Sequence, residues 1–375
     1  MIQESKAPVQ IDEQDALFMA EALRQAELGL LTTHPNPRVG AVVVKEGVII
    51  GRGSHRFAGE AHAEVFALSE AGAAAQGSTV YITLEPCSHH GRTPPCVDAL
   101  LHAGVSRVVA AALDPNPLVA GRGIERLRAH GVQVDVGCLQ ESSEALNPGF
   151  FMRMRQGRPW MRMKQAMSLD GAVALGNGQS QWLTGPSARA DVQHERAKVS
   201  AVMVGIGTLL ADNPRLAPRL VPQPRRYPVK VILDAQLRTP HDAAVFASEG
   251  AVWIFHAPDA RAERREVLQN AGAVLLSCAS HKGRLDWAAV MQSLADREIN
   301  EVLVEAGTGL ASTLLAAGLV DEWLLYVAPM LLGKGAMPAL SVGPFTQLAE
   351  APRWRVVQTQ LLDDDLKWTL RPQEH

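Results

Sequence analysis

Three residues in the first half of the chain carry the side chains of a zinc centre: His62, Cys87 and Cys96. Zn²⁺ takes imidazole and thiolate ligands in a tetrahedron, and a catalytic site leaves one of the four positions to water. One His and two Cys leave that position open. His62 stands at the start of a predicted helix, and Cys96, after Pro94-Pro95, at the start of another. A helix N-terminus favours a thiolate there. Glu64 lies two residues past His62, on the first turn of the same helix. It can reach the pocket without being a ligand, as a proton shuttle between water and a leaving amine must. A closed structural site would need a fourth ligand, and His89 or His90 could supply it. Such a site would have no use for Glu64.

These residues have to be positioned by alternating helices and strands. Leu17, Ala20, Leu23 and Leu30 recur at helical spacing. Val39 to Val44 and Val48 to Ile50 read as a hairpin with Gly47 in its turn. His62 to Ala75 reads as a helix, Val80 to Leu84 as a strand, and Cys96 to Ala103 as a helix stopped by Gly104. Arg107 to Leu113, Ile124 to His130 and Val132 to Val136 continue as strand, helix, strand. Asn147-Pro148-Gly149 and an Arg-rich stretch follow, and we expect the linker near 150–158. The pattern then restarts with strands at Trp160 to Ala166, Val199 to Gly205, Val229 to Leu233, Ala251 to Phe255, Glu301 to Val304 and Trp323 to Val327. Helices are expected at Ser187 to Lys198, Ala262 to Gln269, Asp286 to Asp296 and Leu310 to Ala317. Trp354 to Leu362 and Leu366 to Arg371 read as a closing hairpin. The expected domains are residues 1–150 and 158–375, both α/β.

Composition sets the frame. The chain has 375 residues, too many for one ordinary domain, and a formal net charge of −3, which argues against a nucleic-acid-coating protein. Its 47% of hydrophobic residues excludes a largely disordered chain. No apolar run approaches the roughly 18 residues of a membrane span, and the polar, acidic N-terminus is unlike a secretory signal. The expected location is the cytoplasm. The other two cysteines, Cys138 and Cys278, have no ligand neighbours and read as packing residues.

The second half lacks Gly-x-Gly-x-x-Gly after its first strand, so a Rossmann reading is poor. Its Glu305-Ala306-Gly307-Thr308-Gly309 turn runs from a strand into a helix, a place where backbone N–H groups can bind phosphate. Leu332-Gly333-Lys334-Gly335 is a second glycine loop with a cation.

His-x-Glu, then Pro-Cys, then a second Cys is the order found in zinc deaminases. Eight residues, Ser88 to Pro95, separate the two cysteines here, against two in the common pattern. His62-Ala63-Glu64-Val65 together with the run from Thr83 to Cys96 closely resembles the bifunctional riboflavin-biosynthesis deaminase/reductase family, where this insertion is normal. The second half resembles the same family at Lys164 to Gly171, Ser180 to Thr184, Gly207 to Leu216 and Val304 to Gly307.

The resemblance implies an N-terminal cytidine-deaminase-like three-layer domain and a C-terminal dihydrofolate-reductase-like α/β domain. It implies zinc on His62, Cys87 and Cys96, with Glu64 as the catalytic proton carrier. Substrate contacts then fall at Asn36, His55, His89 and Arg92 in the first half, and at Ser180, Arg196, Leu216, Arg219 and Glu305 in the second. NADPH contacts fall at Ala166, Trp182, Thr208, Asp212, Gly307, Thr308, Gly309, Leu310, Ala311, Ser312 and Thr313. Arg196 and Arg219 are expected as clamps on a ribose phosphate. Read from its residue type alone, Arg196 could equally be a solvated helix arginine. The reductive step needs a proton donor, for which Lys164, Asp212, Glu305 and water are candidates. A homodimer and phosphorylated pyrimidine substrates are implied. Two alternatives stay open here: a nucleobase or tRNA deaminase with a non-catalytic second half, and a nucleotide sensor with a structural zinc.

Overall fold

The computed structural model describes residues 11–88, 94–116 and 119–373. The chain forms two compact units, Met1–Gln156 and Gly157–His375.

The first unit runs α1 (Glu13–Glu27), β1 (Gly40–Lys45), β2 (Val48–Ser54), α2 (Ala63–Ala71), β3 (Thr79–Ile82), α3 (Cys96–His102), β4 (Arg107–Ala110), α4 (Arg122–Ala129), β5 (Gln133–Val136), α5 (Gln140–Leu146) and α6 (Pro148–Gln156). The strands form one sheet in the order β2-β1-β3-β4-β5. β1 is antiparallel to β2 and β3, while β3, β4 and β5 are mutually parallel. Alternation along the strands builds two cores. Ala41, Val43, Val80, Ile82 and Val108 pack against α2, α3 and α4, and Val42, Val44, Tyr81 and Val109 pack against α1. These are the expected three layers.

Helix α1 does not bury the leucine stripe that its spacing suggested. Leu17 is 70% exposed, and the buried face is Asp15, Met19, Ala22 and Ala26. The reason is the close approach of β1: a Cβ on Gly40 would stand 2.0 Å from the Ala22 carbonyl oxygen. Only a small-residue face fits there.

The same device seats α2, the helix that follows His62 and carries Glu64. A Cβ on Gly51 or Gly53 would lie 2.1 or 2.0 Å from the carbonyl oxygens of Ala67 or Ala63. Gly53→Ala is therefore expected to push the start of α2 off the sheet, at about 1–3 kcal/mol of overpacking. The checks are zinc per chain and the thermal midpoint; wild-type values of both would refute it. The helix ends at Gly72 in a short 3₁₀ turn, Gly72–Ala75, where one continuous helix was expected.

Most of the expected linker is the helix α6. Asn147 anchors its start, donating to the Arg38 carbonyl at 2.9 Å and accepting from the Arg38 N–H at 2.7 Å. Phe150 and Phe151 are buried with Leu84 and Ala112.

The second unit is built on a nine-stranded sheet. In spatial order its strands are Ala273–Ser277, Val252–His256, Val229–Leu233, Ala201–Gly205, Glu301–Glu305, Trp160–Ser168, Glu322–Ala328, Asp365–Pro372 and Trp354–Leu362. The first seven are parallel, and the closing hairpin joins antiparallel at the edge. In the central strand Val302 and Val304 face one core and Leu303 the other, as a parallel sheet covered on both faces requires. The strand at Ala273–Ser277 and the helix Ile206–Asp212 were not foreseen from the sequence. Among the described residues, no helix is long and apolar enough to cross a membrane.

Candidate functional site

In the first unit His62 is the N-cap of α2, Cys87 follows β3, and Cys96 is the first residue of α3. Their ligating atoms all lie within 4.8 Å of one another. His62 Nδ1 is 3.1 Å from Cys96 Sγ and 3.6 Å from Cys87 Sγ, and the Cys96 N–H donates to Cys87 Sγ at 3.3 Å. Hydrogen bonds from Cys96 and His62 draw the Cys87 thiol down against the opposing effect of burial. Glu64 is buried beside them. Burial raises its carboxyl, and its Oε2 has no hydrogen-bond partner. One imidazole nitrogen and two sulfurs within this span fit a zinc ion, and the unpartnered carboxylate oxygen supplies a base next to it.

His55 and Asn36 join this cluster. The His55 ring meets His62 edge-on at 5.2 Å. Burial holds His55 below its ordinary value, so it is neutral. Its Nδ1–H donates to the Ala61 carbonyl at 3.2 Å, and its Nε2 accepts from Asn36 Nδ2 at 3.0 Å. That bond orients the Asn36 amide and leaves its oxygen for a ligand. His89 and Arg92 lie outside the described residues.

Sequence reasoning missed Asp114. Its carboxyl is pushed up to about 6 by burial, with the charges of Glu85 and Cys87 adding to the shift. The only signal was its place just past the carboxyl end of β4, where α/β sheets bind ligands.

The second unit has a cavity of about 1280 Å³ at the carboxyl ends of its parallel strands. Lys164, Ala166, Ser180, Trp182, Arg196, Thr208, Asp212, Arg219, Glu305, Gly307, Thr308, Gly309, Leu310 and Thr313 all line it. Gly307 is the N-cap of the helix Thr308–Ala316 and brings no side chain to cap it, so the first N–H groups are available to a phosphate. Three of the expected residues do not line it. Leu216, with φ of 63°, is fully buried and packs with Val204 and Ile232. Ala311 is buried in the opposite core. The Ser312 hydroxyl donates to the Thr308 carbonyl at 2.6 Å and accepts from the Ser341 N–H at 2.8 Å.

Arg196 lines the cavity within an ion pair that its residue type alone did not reveal. Its guanidinium donates to Glu305, Nε to Oε1 at 2.5 Å and Nη2 to Oε2 at 2.9 Å. The pair fixes Glu305 and takes two of the guanidinium's five N–H donors, and Arg196 still lines the cavity. Burial alone would raise the Glu305 carboxyl, but Arg196, Lys164 and Arg219 outweigh it and keep the group ionised. Burial lowers the Lys164 ammonium. Arg215, Arg238 and Arg284 also line the cavity with exposed side chains; Arg215 lies in the matching Gly207 to Leu216 segment, and no motif had marked the other two.

Two family models match the chain. The cytidine and deoxycytidylate deaminase zinc-binding region matches residues 12–112, and the RibD C-terminal domain matches residues 159–368. The riboflavin biosynthesis protein RibD of Escherichia coli strain K12 is 44% identical over 364 residues, 94% of this chain and 98% of that protein. The Aquifex aeolicus protein of the same name is 40% identical, over 95% and 98% of the two chains. The solved structure of Acinetobacter baumannii RibD superposes with a TM-score of 0.88 at 41% identity, covering 96% of this chain and 99% of that one. A Thermotoga maritima diaminohydroxyphosphoribosylaminopyrimidine deaminase/5-amino-6-(5-phosphoribosylamino)uracil reductase gives 0.83 at 34% identity, with 96% and 99% covered.

Fold and site together define a bifunctional enzyme, a zinc-dependent deaminase joined to an NADPH-using reductase. The chain belongs to the RibD family of riboflavin biosynthesis. A deaminase with a non-catalytic second half, or a sensor with a structural zinc, is not favoured by matches that run through both halves.

Proposed function

We propose that the first unit deaminates 2,5-diamino-6-(5-phosphoribosylamino)pyrimidin-4-one hydrolytically. The second unit then reduces the ribosyl chain of the product with NADPH, giving 5-amino-6-(5-phosphoribitylamino)uracil. The observation that carries this is the buried, unpartnered Glu64 oxygen beside His62, Cys87 and Cys96.

His62, Cys87 and Cys96 would hold the zinc, which would supply water acidic enough to be deprotonated near neutral pH. Glu64 would take the proton as the water oxygen bonds to the amino-bearing ring carbon, and would return it to the amino nitrogen as the C–N bond breaks and ammonia leaves. Asn36, oriented by neutral His55, holds the substrate edge.

In the second unit the chain's task is alignment and proton supply. The sugar carbonyl oxygen needs a proton as hydride reaches its carbon. Glu305 is held ionised by Arg196, whereas burial lowers the Lys164 ammonium and raises the Asp212 carboxyl, so both of these cavity-lining groups suit a proton donor, beside water. Arg219 and Arg215 suit the ribose phosphate, and the uncapped turn at Gly307 suits a cofactor phosphate.

We further propose a cytoplasmic homodimer joined through the second unit, with no nucleic-acid partner. The exposed apolar side chains Val356, Val357 and Leu361 on the edge strand Trp354–Leu362 support the dimer. A monomeric sedimentation mass would overturn it.

A coupled assay on the purified chain tests the function. We expect bound zinc, ammonia release from the diaminopyrimidine, and NADPH oxidation only once that compound has been deaminated. A zinc-loaded chain that releases no ammonia would refute the reading.

A further inference from the structure

We propose that Glu85 is a positioning residue that builds the metal centre by fixing the loop that delivers Cys87. The inference rests on the zinc-site reading above and concerns metal binding, not turnover.

Glu85 stands two residues before Cys87, and its side chain is 3% exposed. A buried carboxylate is costly unless its charge is met by hydrogen bonds or an ion pair. Among the described residues, its hydrogen-bond partners are all backbone N–H groups. Oε1 accepts from Gly123 at 2.9 Å and Ile124 at 3.4 Å. Oε2 accepts from Gly121 at 2.8 Å and Asp114 at 3.2 Å. The Glu85 N–H itself donates to the Ala112 carbonyl at 2.9 Å. One carboxylate thus draws three segments together: its own loop, the chain leaving β4, and the N-terminal end of α4, whose dipole favours the charge.

A second observation locks the loop from the same side. A Cβ on Gly123 would stand 2.1 Å from the Pro86 carbonyl oxygen. The start of α4 therefore rests on the peptide joining Pro86 to Cys87. From the other side the Val97 N–H donates to the Cys87 carbonyl at 3.2 Å and ties it to α3, the helix of Cys96. Cys87 is held by its neighbours' backbone before any metal arrives. Through the Asp114 N–H, the same carboxylate sets the segment that carries the half-buried Asp114 side chain.

Glu85→Gln is the informative variant. It keeps the volume and one acceptor oxygen, but turns an NH₂ group toward two N–H donors. Outer-shell partners of metal ligands are worth about 10- to 100-fold in metal affinity. We expect Glu85→Gln to weaken zinc binding by about that factor, measured on the full chain by chelator competition. Gly123→Ala, which leaves the carboxylate in place, should weaken it in the same direction. Cobalt substituted for zinc should still show thiolate-to-metal charge transfer in Glu85→Gln, because the ligands remain. NADPH oxidation on the deaminated substrate should stay at the wild-type rate.

A folded Glu85→Gln chain whose zinc affinity is within twofold of wild type overturns the proposal. So does loss of the first unit's folded signal in zinc-saturated Glu85→Gln, which would make the role one of stability alone. The deaminase reading fails separately, through a wild-type chain that holds zinc and releases no ammonia.

Discussion

Glu64→Gln should stop ammonia release, by about 10²- to 10⁴-fold, while zinc stays bound and NADPH oxidation on the deaminated substrate is unchanged. The size follows from what the side chain has to do. Water must lose a proton and the leaving amine must gain one, and Glu64 is a buried acid beside the metal ligands with one carboxylate oxygen unpartnered. Glutamine keeps the shape of the side chain but can no longer accept and return a proton. Zinc should stay because His62, Cys87 and Cys96 are untouched and Glu64 is not needed as a ligand. The measurements are ammonia release per zinc-bound chain and NADPH oxidation with deaminated substrate. Ammonia release within tenfold of wild type would remove Glu64 from the mechanism. Parallel loss of both activities would show that the variant damages the chain as a whole.

The zinc centre was legible in the sequence because its signal is chemical. Two cysteines and a histidine at element ends, with a glutamate two residues on, can be read without coordinates. The cofactor side was legible in part. The strand-to-helix turn at Gly307 has a local glycine pattern, and the residues expected around it do line the cavity, except Ala311 and Ser312. What escaped depends on contacts distant in sequence. The exposed side of α1 was mistaken for its buried side, because Gly40, well downstream, decides how close the helix lies to the sheet. The pairing of Arg196 with Glu305, more than a hundred residues on, has no local signal. Leu216 sits within a matching motif, yet its positive φ turns the side chain into the core. Glu85 is invisible for the same reason, since its partners are backbone groups of Asp114 and residues 121–124.

The largest stability effect is expected away from both sites, at Arg107. Its guanidinium donates from Nη1 and Nη2 to the two oxygens of Asp15 at 2.7 and 2.8 Å, and from Nε to Asp135 at 2.8 Å. Asp15 also accepts from the Tyr81 hydroxyl at 2.7 Å. The cluster therefore ties α1 to three strands of the sheet, and both carboxylates are buried. Removing one partner of a buried ion pair leaves an uncompensated charge and costs about 3–5 kcal/mol. Arg107→Ala should lower the melting temperature of the first unit by on the order of 10 °C. Arg107→Lys should recover little, because a single ammonium cannot span three acceptor oxygens. The pH dependence separates this loss from one of packing alone. In the wild type, burial raises the Asp15 carboxyl, but hydrogen bonds from Arg107, Tyr81 and the Asp12 N–H bring it below its ordinary 3.8. A depressed carboxyl contributes stability above its unfolded pKa and loses it as pH falls through the folded one. Without Arg107 only the hydrogen bonds from Tyr81 and the Asp12 N–H still oppose burial and the folded pKa rises, so acidification relieves the variant while it weakens the wild type. The gap in melting temperature should therefore be widest near neutral pH and close as the pH falls toward 4. A gap of constant width, or one under about 2 °C at pH 7, would mean that Arg107 contributes no more than an exposed surface pair does.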